Sequence, residues 1–368
     1  MSTIFNDIIF IGIDDGNAKY KVSSKELKTA FPTHIARHTG RYVDADMKLN
    51  IGESSDAVKS YQSGKTGIKY DVGDVGQPIP RSNTFAYEEP NQILLQHALS
   101  LFDDTKSSLS TNRFVVCAGM PLRQFYKQDG SINEANVKNK MTAMASSFDL
   151  FPNDENLVKR KRNSIQLLVQ PEALAALRTY LFMRDTDGKI VLNPEYLNKT
   201  LAVIDPGGKT TDIAVFKNGM IDMERSTTFD VGFNDLDRKA KSYIYDHGFT
   251  TPTQQQVKAL INNGTIKIRG KEEDHTNWIK QARSALANEI FGNVTDTLSD
   301  GFDIDLMIFI GGTIKALKDE IQPMIEEYYG DKNGGNYVPY DIPQNADRLN
   351  ADGLELFAEL WYQQNSAR

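Results

Sequence analysis

The chain has 368 residues, and its 42 Lys and Arg against 49 Asp and Glu give a net charge of −7. This length predicts about two or three domains, and the 40% hydrophobic and 25% charged residues exclude wholesale disorder and a coiled coil. The single cysteine, Cys117, excludes a disulfide framework and a thiolate zinc cluster and favours a reducing compartment. No apolar run approaches the roughly 18 residues of a membrane span, so we expect a cytoplasmic protein with no membrane partner. The acidic balance argues against direct binding of nucleic acid.

The first part of the chain predicts a hairpin followed by a small subdomain. The apolar run at 8–13 predicts a strand that ends at an Asp-Asp-Gly turn, and the alternation at 19–22 predicts the returning strand. Residues from about 39 to 91 are rich in Gly, Ser and Asp. This composition predicts a small, loosely ordered subdomain with short strands around Tyr70 and Phe85.

Strands and helices then alternate along the middle of the chain. Continuous apolar runs predict strands, and apolar residues that recur every three or four positions predict helices. The predicted segments are a helix at 92–102, a strand at 114–118, a helix at 133–150, a strand at 165–169 and a helix at 171–184. This alternation predicts an α/β fold.

The opening pattern returns near residue 201. A predicted strand at 201–204 runs into an Asp-Pro-Gly-Gly turn, and predicted strands at 212–216 and 220–224 follow. Asp14 and Asp205, the aspartates that begin the two turns, are 191 positions apart, which is about half the chain. One architectural unit used twice predicts two similar lobes with a cleft between them.

The last third of the chain is mainly helical by its pattern. The predicted helices lie at 253–262, 276–298, 314–328 and 353–363, with a strand at 305–310. Gly311, Gly312 and Thr313 mark the point where that strand gives way to a helix, and a helix N-terminus can face phosphate. Alone this is a weak signal, because Gly-Gly is common at strand ends.

The two Asp-plus-Gly turns carry the clearest chemical signal. Glycine lets the backbone N–H groups of a turn approach an anion such as phosphate closely. A carboxylate beside such a turn repels phosphate unless a divalent cation lies between them, and Mg²⁺ takes a few carboxylates together with phosphate oxygens and water. A single Asp-Gly turn is more simply explained by turn chemistry. Because two occur at equivalent places, we expect Asp14 and Asp205 to hold a metal, directly or through water.

Two other glycine-containing segments only look like a phosphate-binding P-loop. Gly64-Lys65-Thr66 and Gly208-Lys209-Thr210 match the end of that motif. The motif also requires a glycine five places before its second glycine, where this chain has Lys59 and Val203. Neither segment is therefore a P-loop. Glu172, just after Pro171, is by itself better explained as an acidic residue that complements the start of a helix.

Taken together, these motifs resemble those of a known superfamily. Asp14-Asp15-Gly16 with Lys21 resembles the phosphate-1 loop of the actin, Hsp70 and sugar-kinase superfamily. The segment 205–212 resembles its phosphate-2 loop, and 310–313 its adenosine motif. Within the superfamily, 116–122 and 170–173 are similar to the ParM/StbA group of plasmid-segregation actins.

The resemblance implies a role for each matching residue. Asp14 and Asp205 would hold Mg²⁺, Asp205 and Glu172 would be catalytic, and Glu172 would position or polarise the attacking water. Both loops depart from the family pattern in places. Asn17 and Ala18 replace hydroxyl residues common in the first loop, Pro206 stands where Leu is usual, and Lys209 stands where Thr or Gly is usual. The residues implied to bind the nucleotide are Asp14, Asp15, Gly16, Asn17, Lys21, Gly207, Gly208, Lys209, Thr210, Thr211, Asp212, Gly232, Asn234, Gly311, Gly312 and Thr313.

The resemblance also implies the fold and its domains. It predicts a two-lobed actin-like α/β fold, with a duplicated ribonuclease-H-like unit in each lobe and the nucleotide in the cleft. The predicted first domain comprises 1–182 and 336–368, with a small subdomain at about 39–91. The predicted second domain comprises 183–335, with a helical subdomain at about 245–300.

The function implied is that of a filament-forming ATPase that drives plasmid partition. The expected cofactors are Mg²⁺ and ATP, with GTP as the alternative nucleotide. The expected partners are further copies of the chain and a DNA-binding adaptor of the ParR type. A monomeric sugar- or acid-kinase phosphotransferase of the same superfamily is the alternative. An Hsp70-like chaperone is less favoured, because 368 residues leave no room for a separate substrate domain.

Overall fold

The computed structural model describes residues 8–16, 18–39, 58–73, 75, 78–82, 84–102, 113–145, 148–151, 163–248, 252–330 and 337–366. Contacts divide the chain into two compact units, one of Met1–Ala175 with Asn350–Arg368 and the other of Ala176–Leu349. The sequence predicts boundaries after 182 and 335, which lie 7 and 14 residues from these. The assignment of domains from sequence stays a prediction.

Strands and helices follow one another in both units. From the N-terminus they are β1 (Ile8–Asp14), β2 (Lys19–Ser23), β3 (Lys28–Pro32), β4 (Ile35–Arg37), β5 (Lys59–Ser63), β6 (Lys69–Val72), α1 (Glu89–Ser100), β7 (Arg113–Met120), α2 (Leu122–Phe125), α3 (Glu134–Met144), β8 (Phe148–Phe151), β9 (Asn163–Pro171) and α4 (Glu172–Leu181). They continue with β10 (Phe182–Arg184), β11 (Ile190–Leu192), β12 (Thr200–Pro206), β13 (Thr211–Lys217), β14 (Met220–Phe229), α5 (Phe233–Asp246), α6 (Gln254–Asn263), β15 (Thr265–Ile268), β16 (Lys271–Asp274), α7 (Thr276–Leu298), β17 (Leu306–Phe309), α8 (Gly311–Ala316), α9 (Lys318–Tyr328), β18 (Tyr340–Asp341) and α10 (Leu349–Ser366).

Each unit is built on a five-stranded sheet, and the two sheets have the same topology. The first has the order β3-β2-β1-β7-β9 and the second the order β14-β13-β12-β17-β18. In each, the first three strands are antiparallel and the last three are parallel. The sequence prediction of one α/β unit used twice is therefore confirmed.

The first sheet is covered on both faces, which explains why β1 is apolar along its whole length. Its side chains alternate between faces, as in any strand. Ile9, Ile11 and Ile13 belong to a core that includes side chains of α1. Ile8 and Phe10 belong to the core on the other face, together with side chains of α10. A strand buried on both faces has no polar alternation, so its sequence is a continuous apolar run.

Two of the predicted elements differ in the structure. The helix predicted at 133–150 ends at Met144, and Phe148–Phe151 instead forms β8. This segment pairs with β5, a partner far away in sequence that helical periodicity cannot reveal. The strand predicted around Phe85 is a single helical turn at Phe85–Tyr87, whereas the one around Tyr70 is β6. Much of the predicted subdomain, 40–57, lies outside the described residues.

The remaining segments lie close to their predicted places. Helices at 276–298 and 349–366 and a strand at 306–309 agree with the sequence pattern. Over the described ranges, no helix combines the length and apolarity that crossing a membrane requires.

Candidate functional site

The first candidate loop joins β1 to β2 in the first unit. Asp14 is the last residue of β1 and lies opposite Lys21 of β2 in the antiparallel register. The Lys21 Nζ lies 2.7 Å from Oδ2 of Asp14, and Asp14 is 4% exposed. The structure therefore brings a carboxylate and an ammonium group together at the start of the loop. The predicted Asn17 lies outside the described residues.

Asp15, the next residue, points into the first unit and is held by two side chains. The Lys140 Nζ lies 2.9 and 3.0 Å from the two Asp15 carboxylate oxygens, and Asn91 Nδ2 lies 2.9 Å from one of them. Lys140 also donates to the carbonyl oxygen of Gly119, at the end of β7. The Asp15 carboxylate faces this buried lysine, and nucleotide binding by Asp15 stays a prediction.

A second cation holds the backbone of the loop. The Arg81 Nη1 donates to the carbonyl oxygen of Gly16 over 2.7 Å, and its guanidinium lies 4.3 Å from the centre of the Phe85 ring. Burial lowers the pKa of Arg81 below its usual value. The hydrogen bond fixes the direction of the Gly16 carbonyl and so the orientation of the turn.

Charged side chains of both signs lie around the first loop. Asp14 and Asp15 bring two negative charges, and Lys21, Lys140 and Arg81 bring three positive ones. Glu172 adds a third carboxylate at the same edge of the sheet, so these six side chains balance in charge.

Sequence reasoning missed Asn91, Arg81 and Lys140. A signal existed for Lys140. Its neighbours Val137, Met141 and Met144 form an apolar face of α3. A lysine among apolar residues of one helix face is unusual unless its charge has a partner. Arg81 and Asn91 carry no such signal. Arg81 lies in a segment without periodicity, and Asn91 lies near the start of a helix, where Asn is unremarkable.

Glu172 lies at the same edge of the first sheet as Asp14. It begins α4 directly after β9, and β1, β7 and β9 run parallel, so their carboxyl ends meet at one edge. A Cβ at Gly119 would lie 2.9 Å from Cγ and 3.1 Å from Oε1 of Glu172. The Glu172 side chain thus lies against a strand end that has no side chain of its own.

The second candidate loop joins β12 to β13 in the second unit. Asp205 and Asp212 lie opposite each other in the antiparallel register and are 7% and 4% exposed. The turn between them is closed by the Gly207 N–H, which donates to the Thr210 carbonyl oxygen over 2.7 Å. Lys209 is exposed at its tip.

The loop is tied to the start of two helices, α5 and α8. The Asn234 N–H donates to the Gly208 carbonyl oxygen over 2.7 Å, and the Thr313 hydroxyl donates to the Gly207 carbonyl oxygen over 2.8 Å. A Cβ at Gly232 would lie 2.7 Å from the Gly207 carbonyl oxygen. These contacts bring together the predicted residues of segments 205–212, 232–234 and 311–313.

Two predicted residues of this loop have other contacts. The Thr211 hydroxyl donates to the Val231 carbonyl oxygen over 2.9 Å, and Thr211 is fully buried. The Thr228 hydroxyl donates to the Asp212 carboxylate. Both side chains therefore hold the loop against the strands beside it.

At Gly311, beside the second loop, both the backbone conformation and a close contact exclude a side chain. Its φ is +92°, a backbone conformation that other residues rarely adopt, and a Cβ would lie 2.5 Å from Oδ1 of Asp205. The neighbouring Gly312 is exposed, with no atom within 4 Å of its Cβ position.

The donor chemistry fits the predicted Mg²⁺. Among the residues that the structure describes, no three His, Cys, Asp or Glu side chains cluster in a way that could hold a metal ion. Asp14 and Asp205 are buried carboxylates, one at the equivalent strand end of each unit. Mg²⁺ binds through one or two carboxylates with water and substrate phosphate, and does not need a complete protein cage.

Comparison with known proteins finds a family that is similar to part of the second unit. Residues 203–323, inside the second unit, match the family described as archaeal actin homologue MreB-like, C-terminal. No curated protein matches the chain in sequence.

Solved structures match the chain over nearly its whole length. A ParM from a 15-stranded filament of Clostridium botulinum has a TM-score of 0.73 at 19% identity, covering 96% of this chain and 99% of its own. An archaeal actin homologue in complex with ADP has a TM-score of 0.66 at 18% identity, covering 96% and 99%. Bacillus thuringiensis ParM with ATP has a TM-score of 0.63 at 16% identity, covering 97% and 100%. The chain is therefore an actin-like protein in its fold, with ParM proteins and archaeal actin homologues among its structural relatives.

Proposed function

We propose that the chain is a filament-forming ATPase whose polymer is regulated by nucleotide hydrolysis. The observation that carries this proposal is the repetition of one loop, with a buried aspartate and glycines, after the first strand of two sheets of identical topology. A single loop of this kind is ordinary turn chemistry. Two equivalent loops are suited to bind the phosphates of one nucleotide from opposite sides.

The first loop would bind the β- and γ-phosphates. The Lys21 ammonium lies 2.7 Å from Asp14, so it is placed at the loop before any ligand arrives. The Lys21 ammonium and the backbone N–H groups of the turn would donate to the phosphate oxygens. Asp14 would also hold a water-bound Mg²⁺.

The second loop would contact the phosphates from the other unit. Its glycines leave the backbone of the turn accessible. The Gly207 carbonyl already accepts a hydrogen bond from the Thr313 hydroxyl, and the Gly208 carbonyl accepts one from the Asn234 N–H. The turn is therefore held in one shape before binding, which lowers the ordering cost of binding a ligand. Asp205 would complete the metal shell, and Gly311 and Gly312 would line the nucleoside.

Hydrolysis would proceed by in-line attack of water on the γ-phosphate. Glu172 would orient that water, since its carboxylate lies at the edge of the first sheet where Asp14 also lies. Bound Mg²⁺ would neutralise the charge that builds up on the phosphates. The contribution of the protein is mainly positioning and charge, without a covalent intermediate.

Filament formation and a role in plasmid partition extend this proposal beyond the chemistry. Support comes from the fold shared with a ParM filament from Clostridium botulinum. The partners would be further copies of the chain and a DNA-binding adaptor of the ParR type, because a chain with a net charge of −7 is unsuited to bind DNA itself.

Light scattering and phosphate release, measured together on addition of Mg-ATP or Mg-GTP, test the proposal. We expect assembly above a critical protein concentration, only with nucleotide, followed by phosphate release. Turnover that requires an added sugar or carboxylic acid, without assembly, would instead support a phosphotransferase. No nucleotide binding at all would refute both.

A further inference from the structure

Lys140 places an ammonium group inside the first unit, where an apolar side chain would be expected. Its side chain is 2% exposed, and Val137, Met141 and Met144 on the same face of α3 pack into or against the core. The Nζ lies 2.9 and 3.0 Å from the two carboxylate oxygens of Asp15 and also donates to the Gly119 carbonyl oxygen. A single nitrogen thus connects helix α3, the loop after β1 and the end of β7.

Stability alone does not explain this arrangement. Removing two charges from water is costly, and replacing a buried ion pair by apolar residues of similar volume is often neutral or stabilising. What the pair provides is a fixed geometry, because its three hydrogen bonds set the distance between the Asp15 carboxylate and the Gly119 carbonyl. No apolar side chain could do the same.

The two groups that Lys140 connects both belong to the proposed site. Asp15 stands between Asp14 and Gly16 in the first loop. Gly119 is the residue against which the Glu172 side chain lies, with the Gly119 Cβ position 2.9 Å from Cγ of Glu172. The same nitrogen therefore contacts both the phosphate loop and the residue beside the Glu172 side chain.

Among the residues that the structure describes, little space lies beside Lys140. The cavity there measures about 10 Å³ and is lined by Asp15, Tyr20, Asn91 and other residues. A space of this size holds about one water molecule. We therefore expect Lys140 to act on a bound nucleotide through Asp15 and Gly119.

We infer that Lys140 is a positioning residue that couples the phosphate loop to Glu172. This inference rests on the proposed function. It assigns the lysine neither to binding nor to the chemical step, but to the geometry on which both depend. Loss of its charge is expected to impair nucleotide affinity through Asp15 and the rate of hydrolysis through Gly119.

The test compares Lys140→Met with Asp15→Asn and the double variant. In Lys140→Met, the Asp15 carboxylate stays buried without its ammonium partner, and we expect Mg-ADP affinity and the rate of phosphate release each to fall at least tenfold. The double variant removes the uncompensated charge, so it is expected to bind Mg-ADP several-fold more tightly than Lys140→Met. Such non-additivity is the signature of a direct pair.

Tyr61→Phe is the matched control for lost stability. The Tyr61 hydroxyl lies 2.7 Å from His97 Nδ1 and 3.1 Å from the Ser100 hydroxyl, in the same buried core but away from the loop. Its removal is expected to lower the melting temperature while affinity and turnover stay within about twofold of wild type. If Tyr61→Phe and Lys140→Met lower the melting temperature to the same extent and only Lys140→Met loses affinity and turnover, that loss comes from positioning and not from reduced stability.

Amide hydrogen exchange of the nucleotide-free protein provides a second readout. We expect Lys140→Met to speed exchange both in the turn after β1 and at the end of β7, and Tyr61→Phe to leave both unchanged. If wild type binds nucleotide and Lys140→Met matches its affinity and turnover, the inference is wrong while the proposed function stands. If wild type binds no nucleotide, the proposed function fails, and unchanged exchange at the two segments would refute the coupling as well.

Discussion

At the scale of single residues, two glycines stand where a side chain would enter the proposed site. Gly119 leaves space for Glu172, and Gly311 leaves space for Asp205. The two glycines differ in conformation, because only Gly311 has a positive φ. They therefore predict different consequences of adding a methyl group.

Gly119→Ala and Glu172→Ala are expected to impair the same step. The added Cβ would displace the Glu172 side chain, and the alanine at 172 would remove it. We expect phosphate release to slow about a hundredfold in each, the lower range for loss of a positioned acid or base, while Mg-ATP still binds and filaments persist longer. Single-turnover phosphate release and sedimentation check this. Wild-type rates in both variants would contradict the role assigned to Glu172.

Gly311→Ala is expected to disrupt the second loop. A residue other than glycine at φ +92° is strained, and its Cβ would meet Oδ1 of Asp205. We expect a loss of about 2–4 kcal/mol in the free energy of unfolding and loss of nucleotide binding. Gly312→Ala is the control, because its Cβ position is open, and it should melt at or slightly above the wild-type temperature. Equal melting temperatures for the two variants would count against this geometry.

The sequence could predict the residues that border the loops but not those that brace them. Asp14, Asp205 and the glycines follow from strand-turn patterns, because turn chemistry is local in sequence. Lys140 lies 125 positions from Asp15, and this pairing depends on how α3 packs. Single-sequence periodicity contains no information on such a contact.

At the scale of elements, helix α10 and helix α7 each contain a glycine in a different environment. A Cβ at Gly353 of α10 would overlap the Ala175 carbonyl oxygen, because α10 packs closely on α4 there. A Cβ at Gly292 of α7 meets no atom within 4 Å. The close approach of α10, and not helix propensity, therefore requires the first glycine.

Substituting alanine for these two glycines should change the free energy of unfolding in opposite directions. Gly292→Ala should raise the free energy of unfolding by about 0.5–1 kcal/mol, since alanine loses less conformational freedom in a helix. Gly353→Ala should lower it by about 3 kcal/mol or more through overpacking. Chemical denaturation of both variants measures the difference. Destabilisation of similar size in both would contradict the packing described for α10.

The contact between α1 and β5 predicts a dependence of stability on pH. Burial, aided by the charge of Lys59, lowers the pKa of His97 from 6.5 to about 4. Between pH 6.5 and 4 the unfolded chain therefore binds a proton at His97 that the folded chain does not. The free energy of unfolding accordingly decreases as the pH falls from 6.5 towards 4. The full loss is about 3 kcal/mol. His97→Gln should flatten the pH profile of unfolding in this range, and an unchanged slope would refute the assignment.

Element types were predictable where the apolar pattern is clear. It is a stripe along one face in the helices at 276–298 and 349–366, and a continuous apolar run in the strands β1 and β12. The segment at 148–151 was not predictable in this way, since its strand conformation depends on pairing with β5. Likewise β18, a two-residue strand, has no period to detect, although it completes the second sheet beside β17.

At the scale of the whole molecule, duplication is the feature on which the functional proposal depends. The interval of 191 residues between the two turns predicted it from sequence, and the common strand order of the two sheets confirms it. The proposal that one nucleotide contacts both turns concerns the complex with the ligand. The sequence pattern describes each turn separately and contains no information on that complex.

Filament assembly should therefore require both loops. Lys21→Met, beside the first loop, and Asp205→Ala, beside the second, should each weaken nucleotide-dependent assembly or turnover, because each change removes a charged group that we propose to act on the phosphates or on their metal ion. The expected effect is a tenfold or greater loss in Mg-ATP affinity or phosphate release, read by calorimetry and light scattering. Lys209→Met, at the exposed tip, would then show whether that charge adds to binding. Full affinity and turnover after both loop changes would contradict a shared site.

A structure determined with Mg²⁺ and a slowly hydrolysed ATP analogue tests the central claim most directly. We expect the phosphates of one nucleotide to contact the turn after β1 and the turn after β12, with Lys21 on a phosphate oxygen and Asp14 and Asp205 around one hydrated ion. Phosphates that contact one turn only, or that bind elsewhere on the chain, would contradict it.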